Sequence, residues 1–232
     1  MARTYEAMLK GEGPPKSGGR LLDLKNRQQI GELEKKIIFF NNKNGYKVFN
    51  FVCTRGAEGV STILVNLTNY MAKKNTGKKI LLIDTNFQNP TLHTIFNLSH
   101  QRGLTDLLKG GRNLSETVQS IDSDKIFLLS CGKEFNSLSG SIEQERFAEL
   151  LTEIRDQYDY IFIDSAPVFT SADSLSTAIA SDVTFMVIKS LSLQKEVAEK
   201  AKNMLIANEC FIGGVILNNV VQVIPAWFYN IF

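Results

Sequence analysis

Apolar and polar residues alternate along the chain in blocks whose spacing predicts a mixed α/β fold. Six short runs of apolar, strand-favouring residues recur, and stretches with apolar residues at helical spacing separate them. The runs are 48–53, 80–83, 126–129, 160–163, 183–188 and 211–217, and the helical stretches are 28–40, 60–73, 142–156 and 193–208. Strands that are apolar at nearly every position are buried on both faces, so the pattern predicts a parallel sheet flanked by helices on both faces.

The composition of successive segments divides the chain into three parts. Residues 1–30 contain a stretch rich in glycine and proline at 11–19, which predicts a flexible N-terminal segment and linker. Residues 31–220 carry the alternating pattern and form the predicted domain. Residues 221–232 form an aromatic tail that includes Trp227, Phe228 and Tyr229. We expect the tail to contact a partner or a neighbouring subunit, because large apolar segments rarely stay exposed; the alternative is a strap on the domain itself.

Charge and cysteine content narrow the functional classes. The formal net charge is +2, with 22% charged residues, whereas a nucleic-acid binder usually has a stronger or clustered basic excess. The three cysteines have no C-x-x-C spacing, which is typical of a reducing cytoplasm. No apolar run approaches the roughly 18–20 residues that span a bilayer, and the N-terminus has no signal-peptide core. We therefore expect a cytoplasmic protein that binds no nucleic acid and does not itself span the membrane.

A glycine-rich turn lies between the first predicted strand and the helix that follows it. Such a turn directs backbone N–H groups at an anion, and the helix dipole adds to the attraction. The phosphate-loop pattern G-x-x-x-x-G-K-[ST] is only partly met, because Thr54 replaces the first glycine and Val60 replaces the lysine. Ser61 stands where a hydroxyl would bind Mg²⁺. The candidate nucleotide-binding residues are Arg55, Gly56, Ala57, Glu58, Gly59, Val60, Ser61 and Thr62. By itself such a turn is also a common structural device.

Two predicted strands end in an aspartate, Asp84 and Asp164. Ligands of open α/β sheets bind at the carboxyl ends of the strands, and a carboxylate there is well placed to hold Mg²⁺ near a bound triphosphate. One strand-end aspartate can equally cap the next loop. Two of them together with the glycine loop favour a catalytic and metal-binding site that contains Ser61, Asp84 and Asp164.

Five segments in order identify a family resemblance: 54–62, 81–93, 102–110, 158–168 and 215–219. Together they resemble the cytoplasmic domain of bacterial tyrosine kinases, which accompany polysaccharide chain-length and export machinery and are relatives of the ParA/MinD ATPases. The resemblance covers most of the chain, from about Glu32 to Tyr229. It implies a P-loop NTPase-like sheet, ATP or ADP with Mg²⁺ as cofactors, and a role in exopolysaccharide or capsule biosynthesis.

The resemblance also implies partners and roles for single residues. The partner would be a membrane-embedded polysaccharide chain-length or export protein, which would hold this chain at the inner face of the cell membrane, and homo-oligomers would form. Ser61 and Asp164 would position Mg²⁺, Asp84 would orient or activate the attacking group, and Asn218 would face the adenine. Tyr229 is the phosphoacceptor candidate.

The chain departs from the family pattern at positions that carry the chemistry. Val60 stands at the lysine position, Asn86 replaces the second aspartate of a D-x-D pair, and Gln88 replaces an arginine. A lysine there would donate charge-assisted hydrogen bonds, which contribute roughly 1.5–3 kcal/mol each. The tail has Tyr229 as its one tyrosine, whereas the kinases have many. In the family's E-x-x-R-x-x-R assembly helix, Ile38 stands where an arginine is expected, so ring assembly is not predicted.

These departures predict an impaired member of the family, with two alternatives. The first is a working ParA/MinD-like ATPase that dimerises through Arg55, which occupies the position of the signature lysine that reaches phosphates across a dimer. A solvated loop arginine is the structural alternative for Arg55. The second is an interaction protein that needs no nucleotide.

Overall fold

A computed structural model describes residues 24–74, 77–110, 113–122, 125–133, 144–190 and 195–218. Its helices are α1 (Leu24–Asn44), α2 (Val60–Lys73), α3 (Leu92–Ile95), α4 (Leu104–Leu108), α5 (Leu114–Thr117), α6 (Gln144–Ile154), α7 (Asp173–Ile179) and α8 (Lys195–Ala207), with a 3₁₀ turn at Arg155–Gln157. Its strands are β1 (Val48–Cys53), β2 (Ile80–Asp84), β3 (Gln119–Asp122), β4 (Ile126–Leu129), β5 (Tyr160–Asp164), β6 (Val183–Lys189) and β7 (Ile212–Asn218).

The strands form a seven-stranded sheet in the order β3-β4-β2-β5-β1-β6-β7. All neighbouring strands are parallel except β3 and β4, which are antiparallel. The predicted α/β fold with a parallel sheet between helices is therefore confirmed. The sequence pattern missed β3, because the edge strand Gln119–Asp122 has one apolar residue and pairs on one side only.

Alternate residues of the strands face opposite sides of the sheet and belong to different apolar clusters, of which the described residues form three. In β2, Ile80 and Leu82 belong to the core beneath α1 and α2, whereas Leu81 and Ile83 belong to the core beneath α4 and α6. This division follows from the two-residue period of a strand, and it explains why the strand is apolar at consecutive positions.

The predicted element boundaries agree closely with the structure in the middle of the chain. The predicted helix 28–40 is longer, since α1 begins at Leu24 and ends at Asn44, and Ile30, Leu33 and Ile37 form its buried stripe. The predicted starts of the later helices, at 142 and 193, lie outside the described residues. So do most of the predicted N-terminal segment 1–30 and all of the tail 221–232.

The helix that carries the degenerate assembly motif forms an ion pair within itself. Lys35 donates to Glu32 at 2.8 Å, and both side chains are exposed. No helix in the part of the chain that the structure describes combines the length and apolarity needed to cross a membrane.

Candidate functional site

Three adjacent strands bring the predicted site residues to one edge of the sheet. β1 ends at Cys53, β2 at Asp84 and β5 at Asp164, and β5 lies between the other two. Asp84 and Asp164 are direct partners across the parallel pair β2–β5. The two strand-end aspartates therefore stand side by side, next to the loop that leaves β1.

That loop turns into α2 through two residues in the left-handed region. Ala57 has φ 63° and Gly59 has φ 96°, and Gly59 is the residue directly before the first helical residue, Val60. A Cβ on Gly59 would also overlap the side-chain amide of Asn218, so the position requires glycine for two reasons. The first N–H groups of α2 have no intrahelical acceptor, and the helix dipole makes this end positive, so it suits an anion.

An internal carboxylate fixes the beginning of the loop. Glu58 is buried, and its Oε2 accepts the backbone N–H groups of Thr54 at 2.7 Å and Arg55 at 3.1 Å. The Thr54 hydroxyl donates to the same carboxylate at 2.9 Å. Glu58 was predicted to belong to the nucleotide-binding loop, and its side chain binds the chain segment from which the loop starts.

The residue at the expected lysine position is a buried apolar side chain that carries no charge. Val60 is 6% exposed and belongs to the apolar cluster beneath α1 and α2. Its neighbour Ser61 accepts a hydrogen bond from the Thr91 hydroxyl at 3.0 Å. Ser61, which was predicted as a Mg²⁺ ligand, thus contacts the residue just before α3, whereas Val60 packs in the core.

Asp84 anchors the segment that follows β2. Its Oδ2 accepts the N–H groups of Thr91 and Leu92, each at 3.1 Å, and its Oδ1 accepts the N–H of Asn86 at 3.1 Å. The Cys131 thiol donates to the backbone oxygen of Asp84 at 3.1 Å. Burial raises the pKa of Asp84 to about 6, although these hydrogen bonds oppose the shift. In this arrangement both carboxyl oxygens are occupied by the protein.

Asp164 differs from Asp84, because one of its carboxyl oxygens accepts no hydrogen bond from the described residues. Its side chain is buried, and Oδ2 has no hydrogen-bond partner among the described residues. Burial, and then the charge of Asp84, raise the pKa of Asp164 well above its usual range, while the Ser61 hydroxyl opposes the shift. A buried carboxylate oxygen without a partner next to a serine hydroxyl suits a hard cation, and Mg²⁺ usually takes one or two carboxylates together with phosphate and water oxygens.

No cluster of three or more histidine, cysteine or acidic side chains that could hold a metal occurs within the described ranges. The unpartnered oxygen of Asp164 and the Ser61 hydroxyl fit a Mg²⁺ ion whose remaining ligands would come from phosphates and water, as in nucleotide sites.

Asn218 reaches the loop from the last described strand. Its side-chain amide donates to the backbone oxygen of Glu58 at 2.8 Å. The residue that was predicted to face adenine thus lies within hydrogen-bond distance of the phosphate-loop backbone, and one of its functions is to fix the position of Gly59.

A cavity of about 850 Å³ opens where these elements meet. Its walls come from the loop at 56–62, the segment at 86–95, and the segment that follows β5. Asn86 and Gln88, the two other departures from the family pattern, line it. Gln88 donates to the backbone oxygen of Thr170 at 2.9 Å and so closes one side of the opening.

The charge of this cavity is unusual for a phosphate site. Among the described residues that line it, there is no lysine or arginine, and the acidic residues are Glu58 and Asp164. Arg55 is exposed and does not line the cavity. Any phosphate bound here would rely on backbone N–H groups, the helix dipole and a bound cation.

Sequence reasoning missed two residues that hold the site together, Thr91 and Cys131. Thr91 links Asp84 to Ser61, and Cys131 binds Asp84 from the end of β4. Nothing in the sequence distinguishes Thr91 from other threonines, and Cys131 does not belong to a C-x-x-C motif that would have drawn attention to it. The phosphoacceptor candidate Tyr229 lies outside the described residues.

Comparison with known proteins gives the site a context. A family model described as "AAA domain" matches residues 46–196. The tyrosine-protein kinase YwqD of Bacillus subtilis is 29% identical over 193 residues, which are 83% of this chain and 81% of that protein. The putative tyrosine-protein kinase CapB of Staphylococcus aureus is 28% identical over 188 residues, 81% of this chain and 82% of that protein.

Solved structures show the same fold. The kinase domain of the Escherichia coli tyrosine kinase ETK superposes with a TM-score of 0.77 at 18% identity, over 86% of this chain and 78% of that one. MinD from Pyrococcus horikoshii, solved with Mg-ADP, superposes with a TM-score of 0.62 at 19% identity, over 78% of this chain and 75% of that one. The chain therefore has the P-loop NTPase-like fold that these kinase and MinD structures share.

Proposed function

The chain belongs to the AAA domain family, and we propose that it is a catalytically impaired, tyrosine-kinase-like member that regulates the biosynthesis and export of capsule or exopolysaccharide. The partner in this proposal is a membrane-embedded chain-length or export protein, which holds the chain at the inner face of the membrane. The names of its relatives support the kinase-like origin. The departures at Val60, Asn86 and Gln88 support the impairment.

One observation carries the proposal: the cavity lacks any lysine or arginine among its described lining residues. Phosphoryl transfer depends on positive charge that stabilises the γ-phosphoryl group, and removal of one such donor typically costs about 10²–10³ in rate. With Val60 in the core, the described residues that line the cavity supply none of this charge. ATP and ADP would be bound weakly, and the γ-phosphoryl group of ATP would be transferred slowly or not at all.

The residues that would hold nucleotide and metal are still present. The backbone N–H groups of the loop at 56–62 would bind phosphate oxygens, and Ser61 and Asp164 would bind Mg²⁺, which neutralises phosphate charge. Asp84 would keep Thr91 and Leu92 in place, and so would fix the wall that faces Ser61. The protein would therefore supply a cavity of defined shape whose described lining residues carry no positive charge.

Isothermal titration with ATP and ADP in the presence of Mg²⁺ tests the impairment directly. We expect weak binding to the wild type and about tenfold to a hundredfold tighter binding to Val60→Lys, because one charge-assisted hydrogen bond contributes about 1.5–3 kcal/mol. Val60→Met is the matched control, since it adds length without charge, and it should bind as the wild type does. Tight wild-type binding with ready turnover would overturn the impaired-site proposal.

A test in the host addresses the regulatory role. Loss of the gene is expected to change the amount or chain length of the surface polysaccharide. Complementation with folded Asp164→Ala should restore the wild-type phenotype, because a regulatory role does not need phosphoryl transfer. Failure of this variant alone to complement would show that catalysis is required.

A second candidate function, an active ParA/MinD-like ATPase, is favoured by one feature. Arg55 is exposed at the edge of the loop, and its side chain is therefore free to approach a phosphate in a facing subunit. ATP-dependent dimerisation with turnover that Arg55→Ala abolishes would support this function. If neither nucleotide binds under any condition, the chain acts as a nucleotide-independent interaction protein.

A further inference from the structure

The edge of the sheet at β7 carries an apolar groove that the site described above does not use. We call it the edge groove: it lies between α1, α2 and β7, and its lining includes Ile30, Leu33, Ile63 and Ile216. Its volume is about 500 Å³. In β7, Ile216 packs against the core beneath α1 and α2 and faces the groove. The exposed side chains of Val215 and Leu217 lie on the other face of the strand, since Val215 is the partner of Met186 in the apolar cluster on the α8 side.

The backbone of β7 is also open along this side. β7 is the last strand in the sheet order, and within the described residues it pairs with β6 alone. An edge strand offers a row of N–H and C=O groups that readily accept another strand. The edge groove therefore combines an apolar surface with an available backbone edge, which is the requirement for an extended apolar segment.

An apolar segment of this kind follows β7 in the sequence. The structure describes β7 to Asn218, and the fourteen residues that follow, 219–232, include ten apolar residues and no charged one. The groove's own charged side chains, Glu32 and Lys36, have opposite signs, so a neutral segment meets no net charge there. Pro225 is compatible with an edge position, since an edge strand need not donate at every residue.

We propose that residues 219–232 turn back after Asn218 and occupy the edge groove of the same chain. A reversal takes about two to five residues, so at least nine residues remain to lie along the groove. A segment joined at the groove's end has an effective concentration in the millimolar range, which favours it over a free partner or a second copy.

The proposed contact lies beside the phosphate loop. Thr62 lines both the edge groove and the larger cavity. Asn218 lines the edge groove and donates a hydrogen bond to the backbone oxygen of Glu58 in the phosphate loop. A segment in the groove would therefore cover the hydrogen bond from Asn218 to Glu58. It would protect the contact that holds Gly59 in place.

The chain contains a single tryptophan, Trp227, which lies in this segment and reports its environment without labelling. We expect the emission of the native protein to be shifted to the blue relative to the urea-unfolded chain, and acrylamide quenching to be several-fold weaker. Both properties should persist on dilution, at concentrations where light scattering shows a monomer.

Matched variants locate the contact. Ile216→Lys places a charge in the groove and should remove the blue shift and the protection from acrylamide. Ile206→Lys on α8 replaces an exposed apolar residue outside the groove and should leave both unchanged. Ile216→Asn is a milder second groove variant in case Ile216→Lys does not fold, which circular dichroism will show.

Three results would overturn the proposal. A native emission equal to that of the unfolded chain would mean that Trp227 is exposed. Equal behaviour of the groove and control variants would place the tryptophan elsewhere. A blue shift that disappears on dilution together with a dimer would make a second copy, and not the chain's own tail, the occupant of the groove.

Discussion

Replacement of Glu58 tests whether an internal carboxylate holds the phosphate loop in place. Glu58 is 4% exposed, and it accepts the backbone N–H groups of Thr54 and Arg55 together with the Thr54 hydroxyl. Glu58→Ala removes the acceptor for all three donors. Glu58→Gln keeps the shape and one carbonyl oxygen, and the Thr54 hydroxyl can rotate to accept from the new amide.

The expected cost follows from the burial of the donors. Thr54 is fully buried, so its N–H group finds no water in Glu58→Ala, whereas the N–H of Arg55 is partly accessible. A buried donor without a partner costs about 1–3 kcal/mol, and hydrogen bonds to charged groups contribute about 1.5–3 kcal/mol. We therefore expect Glu58→Ala to lower the free energy of unfolding by about 2–4 kcal/mol and Glu58→Gln to lower it by about 1 kcal/mol.

Urea denaturation followed by circular dichroism measures this difference. Glu199→Ala is the control, because Glu199 is an exposed helical residue paired with Lys195 at 3.5 Å, and such pairs contribute about 0.3–0.5 kcal/mol. If Glu58→Ala is no less stable than Glu199→Ala, the carboxylate does not support the loop. If Glu58→Gln costs as much as Glu58→Ala, the charge and not the acceptor geometry is decisive.

Two further predictions concern the strand ends and the loop glycine. The pKa of Asp84 is raised to about 6, so between about pH 4 and 6 the native state binds a proton that the unfolded state lacks. The contribution of Asp84 to the free energy of unfolding is therefore most favourable below this range and is lost as the pH rises through 6. Asp164 shifts in the same direction, so we expect the stability difference between wild type and Asp84→Asn, measured in urea from pH 4.5 to 7.5, to shrink at the upper end. A difference that does not vary with pH would contradict the shift. Gly59→Ala should cost more than Gly45→Ala in melting temperature, because both glycines have positive φ but only Gly59 faces the Asn218 amide. Equal losses would mean that Asn218 simply moves away.

The position of the candidate site was predictable, because it depends on local patterns. The carboxyl ends of parallel strands lie at one edge of the sheet. An aspartate at the end of a strand, or a glycine-rich turn between a strand and a helix, therefore lies at that edge. The replacement of lysine by Val60 was also visible, since the motif fixes the position by spacing alone. The direct pairing of Asp84 with Asp164 was not, because it depends on the register between β2 and β5, whose carboxyl ends are 80 residues apart in the sequence.

The sequence by itself determined the order of six strands and four helices along the chain, the two-sided burial of the sheet, the place of the phosphate loop and the absence of its lysine. These features follow from the periodicity of apolar residues and from motif spacing, which are properties of neighbouring positions. Only the tertiary structure decided that Glu58 faces inward and that Asn218 contacts the loop from 160 residues away. It also decided that the described residues donate to both carboxyl oxygens of Asp84 but leave one oxygen of Asp164 without a partner. The physical reason is that a polar side chain turns to whichever donors the fold brings within about 3 Å, and these donors come from distant segments.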